Sequence, residues 1–216
     1  KTELQVAGRT LVVSNLDKML YPDTGFTKAQ VIDYYARIAP VLLPHLEGRP
    51  LTLKRYPDGV DGPYFYEKNC PAHRPDWIET ASFRRRDASG GRKKIEYCLM
   101  DGLPALVWAA NLADLELHVP LARAAHIARP DSIVFDLDPG PPAGLQACCT
   151  VALLVRELLA GMKLEAFPKV SGSKGLQLYV PLNRRDVGYE HTKSFAKAIA
   201  EALEREHPTR VVSKMK

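Results

Sequence analysis

Residues 132–140 read Ser132-Ile133-Val134-Phe135-Asp136-Leu137-Asp138-Pro139-Gly140, and this run decides the architecture. Its apolar opening and alternating acids predict a strand over 132–138, halted by Pro139-Gly140-Pro141-Pro142. A helix over 145–160 follows, with Gly161 as its C-cap candidate. Strands at 164–170 and 176–182 come next, separated by the tight turn Ser171-Gly172-Ser173-Lys174-Gly175, and an amphipathic helix spans 189–206.

Upstream, a strand is expected at 11–14 and a helix from Thr27, where Thr27-Lys28-Ala29-Gln30 forms a capping box with Phe26 stapled on Val31. Pro40 and Pro44 interrupt the end of its apolar pattern. Strands are expected at 51–56, 64–67, 95–99 and 114–119, with a helix over 103–112. Hairpins outnumber the single strand–helix–strand unit, so the predicted class is α+β, with mixed and antiparallel sheets flanked by helices in a single domain over 1–216.

The chain has 216 residues, 46% hydrophobic and 25% charged, which is globular composition. No run of 18 apolar residues exists, so a helical membrane span is not expected. Lys1-Thr2-Glu3-Leu4 offers neither Met nor an apolar leader, which fits an excised fragment without a signal peptide. Four cysteines are too few for a disulfide scaffold, and their spacing makes a reducing cytoplasm the simplest location. Cys70-Pro71-Ala72-His73 hints at zinc, but no second ligand pair follows. The net charge of +5 favours polyanions weakly. More telling is RRRDASGGRKK at 84–94, where Arg84, Arg85, Arg86, Arg92, Lys93 and Lys94 surround one acid. Asp87-Ala88-Ser89-Gly90-Gly91 makes this a loop or hairpin tip, able to contact a phosphate backbone or to be merely a solvated turn.

Asp136 and Asp138 carry the chemistry. Residues i and i+2 of a strand share a face, about 7 Å apart, so the two carboxylates can converge on hard cations such as Mg²⁺ or Mn²⁺. The plainer reading is a polar strand end with two solvated acids. In Ser171-Gly172-Ser173-Lys174-Gly175 the glycines let amides turn inward as a phosphate nest, with Ser171, Ser173 and Lys174 adding donors and charge. The plainer reading there is a β-turn with a surface lysine. Together the two motifs would put metals and a triphosphate side by side, the layout for two-metal nucleotidyl transfer. His118, closing DLELH, is a further candidate, or a structural histidine.

VSNLDKMLYPDTGFTK, GRPLTLKRYPDGVDGPYFYEKN, NLADLELHVPL, RPDSIVFDLDPG and KVSGSKGLQLYVPL together resemble the polymerase domain of bacterial ligase D, in the archaeo-eukaryotic primase superfamily, over about residues 10–216. The resemblance implies a primase-polymerase-like core and a nucleotidyltransferase of non-homologous end joining that extends primers and fills gaps with NTPs or dNTPs, using Mn²⁺ or Mg²⁺. It implies metal ligation by Asp136 and Asp138, with His118 beside them. Lys54, Ser171, Ser173, Lys174 and Gln177 would bind the nucleotide. Phe65 and Tyr66 would stack on template bases, Lys18 and Lys28 would hold a downstream 5′-phosphate, and the basic loop 84–94 would touch DNA ends. Lys28 also sits at the first turn of the capped helix, where amides favour phosphate. Partners implied are DNA ends or gaps with a 5′-phosphate, with Ku and a DNA ligase, in a nucleoid-associated bacterial setting.

This sequence departs from the family in two places. Gln177 replaces a histidine, exchanging a chargeable donor for a neutral one. The family's third metal aspartate follows the last helix, and this sequence ends at Lys216, just past Val211-Val212, so a C-terminal truncation is expected. Other readings are a stand-alone gap-filling relative, a non-catalytic DNA-end-binding module, and a metal-dependent phosphohydrolase.

Overall fold

The computed structural model describes residues 1–86, 91–184 and 186–214; the side chains of Arg85, Arg86 and Arg92 also lie outside the described part. The chain forms two compact units, Lys1–Ala125 and His126–Lys216.

The first unit opens with the hairpin β1 (Thr2–Val6) and β2 (Arg9–Val13). Its two-residue turn places Ala7 at φ 44° and Gly8 at φ 77°, the left-handed pair that a tight hairpin needs. β3 (Met19–Tyr21) and β4 (Phe26–Thr27) lead into α1 (Lys28–Leu46). The capping box forms as the sequence predicts, with Thr27 accepting from the Gln30 amide and the Gln30 side chain accepting from the Thr27 amide. α1 runs through Pro40 and Pro44 where the sequence pattern broke off. Burial of Leu46 and packing of Leu42 and Leu43 on the core outweigh the lost helix bonds.

β5 (Thr52–Arg55) pairs antiparallel with β6 (Phe65–Glu67) on one side and β9 (Asp114–His118) on the other. α2 (Leu103–Asn111) is buried along Ala105–Ala110, which explains its lack of a polar face. β7 (Thr80–Arg86) and β8 (Arg92–Cys98) pair as a hairpin carrying the basic run at its tip. β1, β3, β4 and β7 have no counterpart in the sequence reading: β3 and β4 are too short to show an alternation, and β7 runs into the arginines of the basic run.

The cysteines depart from expectation. Cys70 and Cys98 form a disulfide, 28 residues apart in sequence. The Cys70 amide donates to the Glu96 carbonyl at 2.6 Å, and Arg74 reaches the Glu96 carboxylate at 3.0 Å, so the loop before β7 is laid against β8. Such proximity through tertiary pairing leaves no spacing signature.

In the second unit, β10 (Ser132–Leu137), α3 (Leu145–Gly161), β11 (Phe167–Val170) and β12 (Leu176–Pro181) precede α4 (Tyr189–Glu206). Sheet order is β10-β12-β11, with β12 antiparallel to both neighbours. β10 and β11 are therefore parallel, and α3 is the crossover of a split strand–helix–strand unit. Gly161 is the last helical residue rather than the cap; Met162 caps, and Lys163 takes the left-handed turn at φ 60°.

Closing a loop of this length stabilises a fold by about 3–4 kcal/mol on the chain-entropy account. Reduction, or Cys70→Ser, is therefore expected to lower the melting temperature measurably. An identical Tm with and without reductant would show that the bond contributes nothing.

Candidate active-site residues

The acids of the second unit face outward because their neighbours face inward. Ile133 and Phe135 are buried with Cys148, Val155, Leu159, Ile199 and Leu203 in the core under α3 and α4. Period-two alternation then sends Val134 and Asp136 to the other face, and Asp136 and Asp138 are both exposed. The Cys148 thiol donates to the Leu137 carbonyl at 3.3 Å, tying the strand end to α3.

The register places Asp136 opposite Gln177, and Gln177 opposite Lys169. One row of the sheet thus reads acid, amide, ammonium. The Tyr179 hydroxyl donates to Gln177 Oε1 at 3.2 Å, which leaves the Gln177 amide NH₂ as a donor. Lys169 Nζ stands 5.7 Å over the Tyr179 ring. Lys169 and Tyr179 were missed in the sequence, although alternation through the Ser171–Gly175 hairpin would have found them.

That turn is built around Ser171. Its Oγ accepts from the amides of Ser173 at 3.3 Å and Gly175 at 3.1 Å, and its own amide donates to the Gly175 carbonyl. Ser171 therefore shapes the loop, while exposed Ser173 and Lys174 are left to face a ligand. Gly172 takes φ 91°, and Gly175 is required by close approach. A Cβ there would lie 2.6 Å from the Leu137 carbonyl oxygen and 2.7 Å from Asp138 Oδ1. Ser173 and Lys174 line a cavity of about 400 Å³ with Pro139, Pro142, Gly144 and Leu145. Gly144 gives α3 no side-chain cap, so the helix's positive end lies at the cavity wall.

A second constellation belongs to the first unit. Tyr66, Lys54 and Glu116 form one cross-strand row of β6-β5-β9. Lys54 Nζ donates to Glu116 Oε1 at 2.6 Å, the Tyr56 hydroxyl donates to the same oxygen, and His118 Nε2 lies 3.2 Å from Glu116 Oε2. Nζ also stands 4.3 Å from the Tyr64 ring centre, 5.2 Å from Tyr56 and 5.7 Å from Tyr66. The Tyr66 and His118 rings meet edge to face at 5.4 Å. Hydrogen bonds to Glu116 and Tyr56 hold the Lys54 ammonium well above its ordinary pKa. Burial pushes the Glu116 carboxyl up, but bonds from Lys54, Tyr56 and His118 win and hold it below the usual range. Tyr56, Tyr64 and Glu116 carried no motif in the sequence.

Phe65 and Tyr66, expected to act as a pair, point to opposite faces. Phe65 lies 5.2 Å from the Arg55 guanidinium, itself paired with Glu67 at 2.6 Å. Lys18 pairs with Asp58 at 2.8 Å, and Lys28 is buried. Burial, then the charges of Lys18 and Arg55, push the Lys28 ammonium down. The amides of Lys28 and Ala29 already bond the carbonyls of Lys18 and Leu16, so any phosphate contact there falls to the side chains. Arg84, Lys93 and Lys94 are exposed along the β7–β8 hairpin, where Arg84 opposes Lys94 and Arg85 opposes Lys93. Like charges directly opposed, as Arg84 and Lys94 are, disfavour the pairing.

The fold is α+β, with four helices and small antiparallel sheets among the described residues, and it presents a paired-carboxylate strand end beside a serine–lysine–glycine hairpin. Residues 27–216 match the model of the LigD primase-polymerase domain, and the chain belongs to that family. It is 41% identical over 215 residues to the multifunctional non-homologous end joining DNA repair protein LigD of Mycobacterium tuberculosis, covering 95% of this chain and 27% of the relative. It is 35% identical to the bifunctional non-homologous end joining protein LigD of Bacillus subtilis, covering 88% of this chain and 30% of the relative. The chain thus spans less than a third of either relative. The polymerase domain of Mycobacterium tuberculosis ligase D, solved in complex with DNA, superposes with a TM-score of 0.88 at 40% identity, covering 95% of this chain and 72% of that one.

Two substitutions test these local structures. Gly175→Ala is expected to cost about 1–3 kcal/mol of stability, since backbone and the Asp138 carboxylate obstruct the new methyl; an unchanged Tm would refute the close approach. Asp114 at the start of β9 is fully buried, and neither carboxylate oxygen completes a hydrogen bond. Burial pushes its carboxyl well up, against weaker pulls from the Lys54 backbone and Arg55. The native state then keeps a proton that the unfolded chain releases from about pH 4 upward, so stability falls as pH rises through that window. The stability of Asp114→Asn relative to the native protein should therefore increase from pH 5 to pH 8. A difference independent of pH would show that Asp114 is ionised when folded.

Proposed function

We propose that this chain is a template-dependent nucleotidyltransferase that extends primer ends and fills gaps at DNA breaks with NTPs or dNTPs. The observation that carries the reading is the pairing of exposed Asp136 and Asp138 with the Ser173–Lys174 cavity on one sheet end, in a chain of the LigD primase-polymerase family. Two carboxylates on one face, with Gly175 clearing the space beside Asp138, are an all-oxygen donor set suited to Mg²⁺ or Mn²⁺. Among the described residues no third acidic, histidine or cysteine ligand joins them, so waters and phosphate oxygens would complete the shell. A bound divalent ion supplies charge stabilisation at the attacking and leaving oxygens.

The protein's own part is to bind and orient. Ser173 and Lys174 would hold the triphosphate near the positive end of α3, with the Gln177 amide and Lys169 as further donors on the same face. Lys54 offers a fixed cation, and Tyr64 and Tyr66 an exposed aromatic platform for a base. His118 belongs to that Lys54 cluster. Phe65 would stack from the opposite face. Lys18 and Lys28, with Arg55 adding positive charge, would take a 5′-phosphate. The hairpin bearing Arg84, Lys93 and Lys94 would track the DNA backbone. DNA ends or gaps, Ku and a DNA ligase are the partners of this reading, in the cytoplasm of a bacterium at its nucleoid; no helix among the described residues is long and apolar enough to cross a membrane.

The test is primer extension on a gapped duplex with a 5′-phosphate, supplied with Mn²⁺ and either NTPs or dNTPs. Templated addition is expected, and Asp136→Ala or Asp138→Ala should abolish it while leaving DNA binding largely intact. Phosphate-dependent DNA binding with no addition would favour a non-catalytic end-binding module. Retained extension in either variant would overturn the assignment of the acids.

A further inference from the structure

Glu116 is the point on which the Lys54 face of β6-β5-β9 converges. Its Oε1 is already engaged by two donors, Lys54 Nζ and the Tyr56 hydroxyl, and its Oε2 faces His118 Nε2 at 3.2 Å. An ionised carboxylate only accepts. His118 Nε2 must therefore carry the hydrogen, and in the neutral ring Nδ1 is the acceptor. Among the described residues no hydrogen bond is made to Nδ1, and the edge-to-face contact with Tyr66 fixes the ring plane. The Lys54 side chain is only 13% exposed, held between the carboxylate and three tyrosine rings.

We infer that Glu116 is a positioning residue: one carboxylate sets His118 in the Nε2–H tautomer and holds the Lys54 ammonium in its tyrosine cage. The face then presents a fixed acceptor, His118 Nδ1, and a fixed cation, Lys54 Nζ. That pair suits a ligand carrying both a hydroxyl and a phosphate. Its use in nucleotidyl transfer rests on the function proposed above; the tautomer does not.

Glu116→Gln gives a sharp test. Lys54 and Tyr56 keep the amide oxygen on their side, so the amide NH₂ is turned toward His118. A donor now faces Nε2, and the ring must switch to the Nδ1–H tautomer. Long-range ¹H–¹⁵N spectra of histidine-labelled protein, with His118 assigned through His118→Asn, read this directly. The expected result is Nε2–H in the native protein and Nδ1–H in Glu116→Gln, with kcat for primer extension reduced by roughly tenfold to a hundredfold. The KM for nucleotide should rise less in Glu116→Gln than in Lys54→Met. Native protein in the Nδ1–H form overturns the inference without any variant. So does an unchanged tautomer in Glu116→Gln, or a switched tautomer with an unchanged rate. If the native chain adds no nucleotide, the polymerase reading fails, while the tautomer pair still decides whether Glu116 orders the cluster.

Discussion

A strand that packs one face on helices has no freedom over what its other face shows. β10 illustrates the constraint. Burying Ile133 and Phe135 under α3 and α4 commits Val134 and Asp136 to the opposite side, and Asp138 continues that row into the turn. The hairpin β11–β12 meets the same demand. Leu176, Leu178 and Val180 are buried, so Gln177 and Tyr179 face outward with Lys169 beside them. The polar face is thus a consequence of core packing, and a one-residue slip of β12 would replace its polar groups with leucines. Gly175 then lets the hairpin turn press against Leu137 and Asp138.

The first unit solves a different problem, that of a cation held largely out of water. Lys54 is kept charged by a carboxylate at 2.6 Å and by three ring faces, and Glu116 is kept ionised by the donors around it. The group order Tyr66, Lys54, Glu116 across three strands is set by register alone. Asp114, two residues before Glu116 on the same strand, shows the contrast: burial outweighs the pulls of the Lys54 backbone and Arg55, and its carboxyl is pushed toward the neutral form. Two acids on one short strand are thus pushed in opposite directions, because side-chain donors outweigh burial at Glu116 and burial outweighs weaker pulls at Asp114.

Much of this was legible in the sequence. The α+β class, the strand–helix–strand unit around α3 and the capping box of α1 followed from alternation, turn residues and caps, because these signals are local; the insertion of β12 between β10 and β11 did not. Asp136, Asp138 and the Ser171–Gly175 turn were legible for the same reason. Glu116, Tyr56 and Tyr64 were not, since a glutamate in DLELH has no local feature that distinguishes it from a solvated acid; only the pairing of β5 with β9 brings it to Lys54. The Cys70–Cys98 bond was hidden likewise, by a loop folded back on β8. That Phe65 and Tyr66 face opposite sides of β6 follows from strand alternation, and a dipeptide motif does not display it.

In the proposed function, Asp136 and Asp138 with the Ser171–Gly175 hairpin would form a divalent-cation and triphosphate site. Titrating Mn²⁺ into ¹⁵N-labelled protein with a nucleoside triphosphate present tests it most directly, through paramagnetic broadening of individual amides. Residues 136–138 and 171–175 are expected to broaden first and together, and Asp136→Ala is expected to remove the effect. Broadening that leaves these residues sharp and begins elsewhere, at Asp101 or Asp131 for example, would contradict that reading.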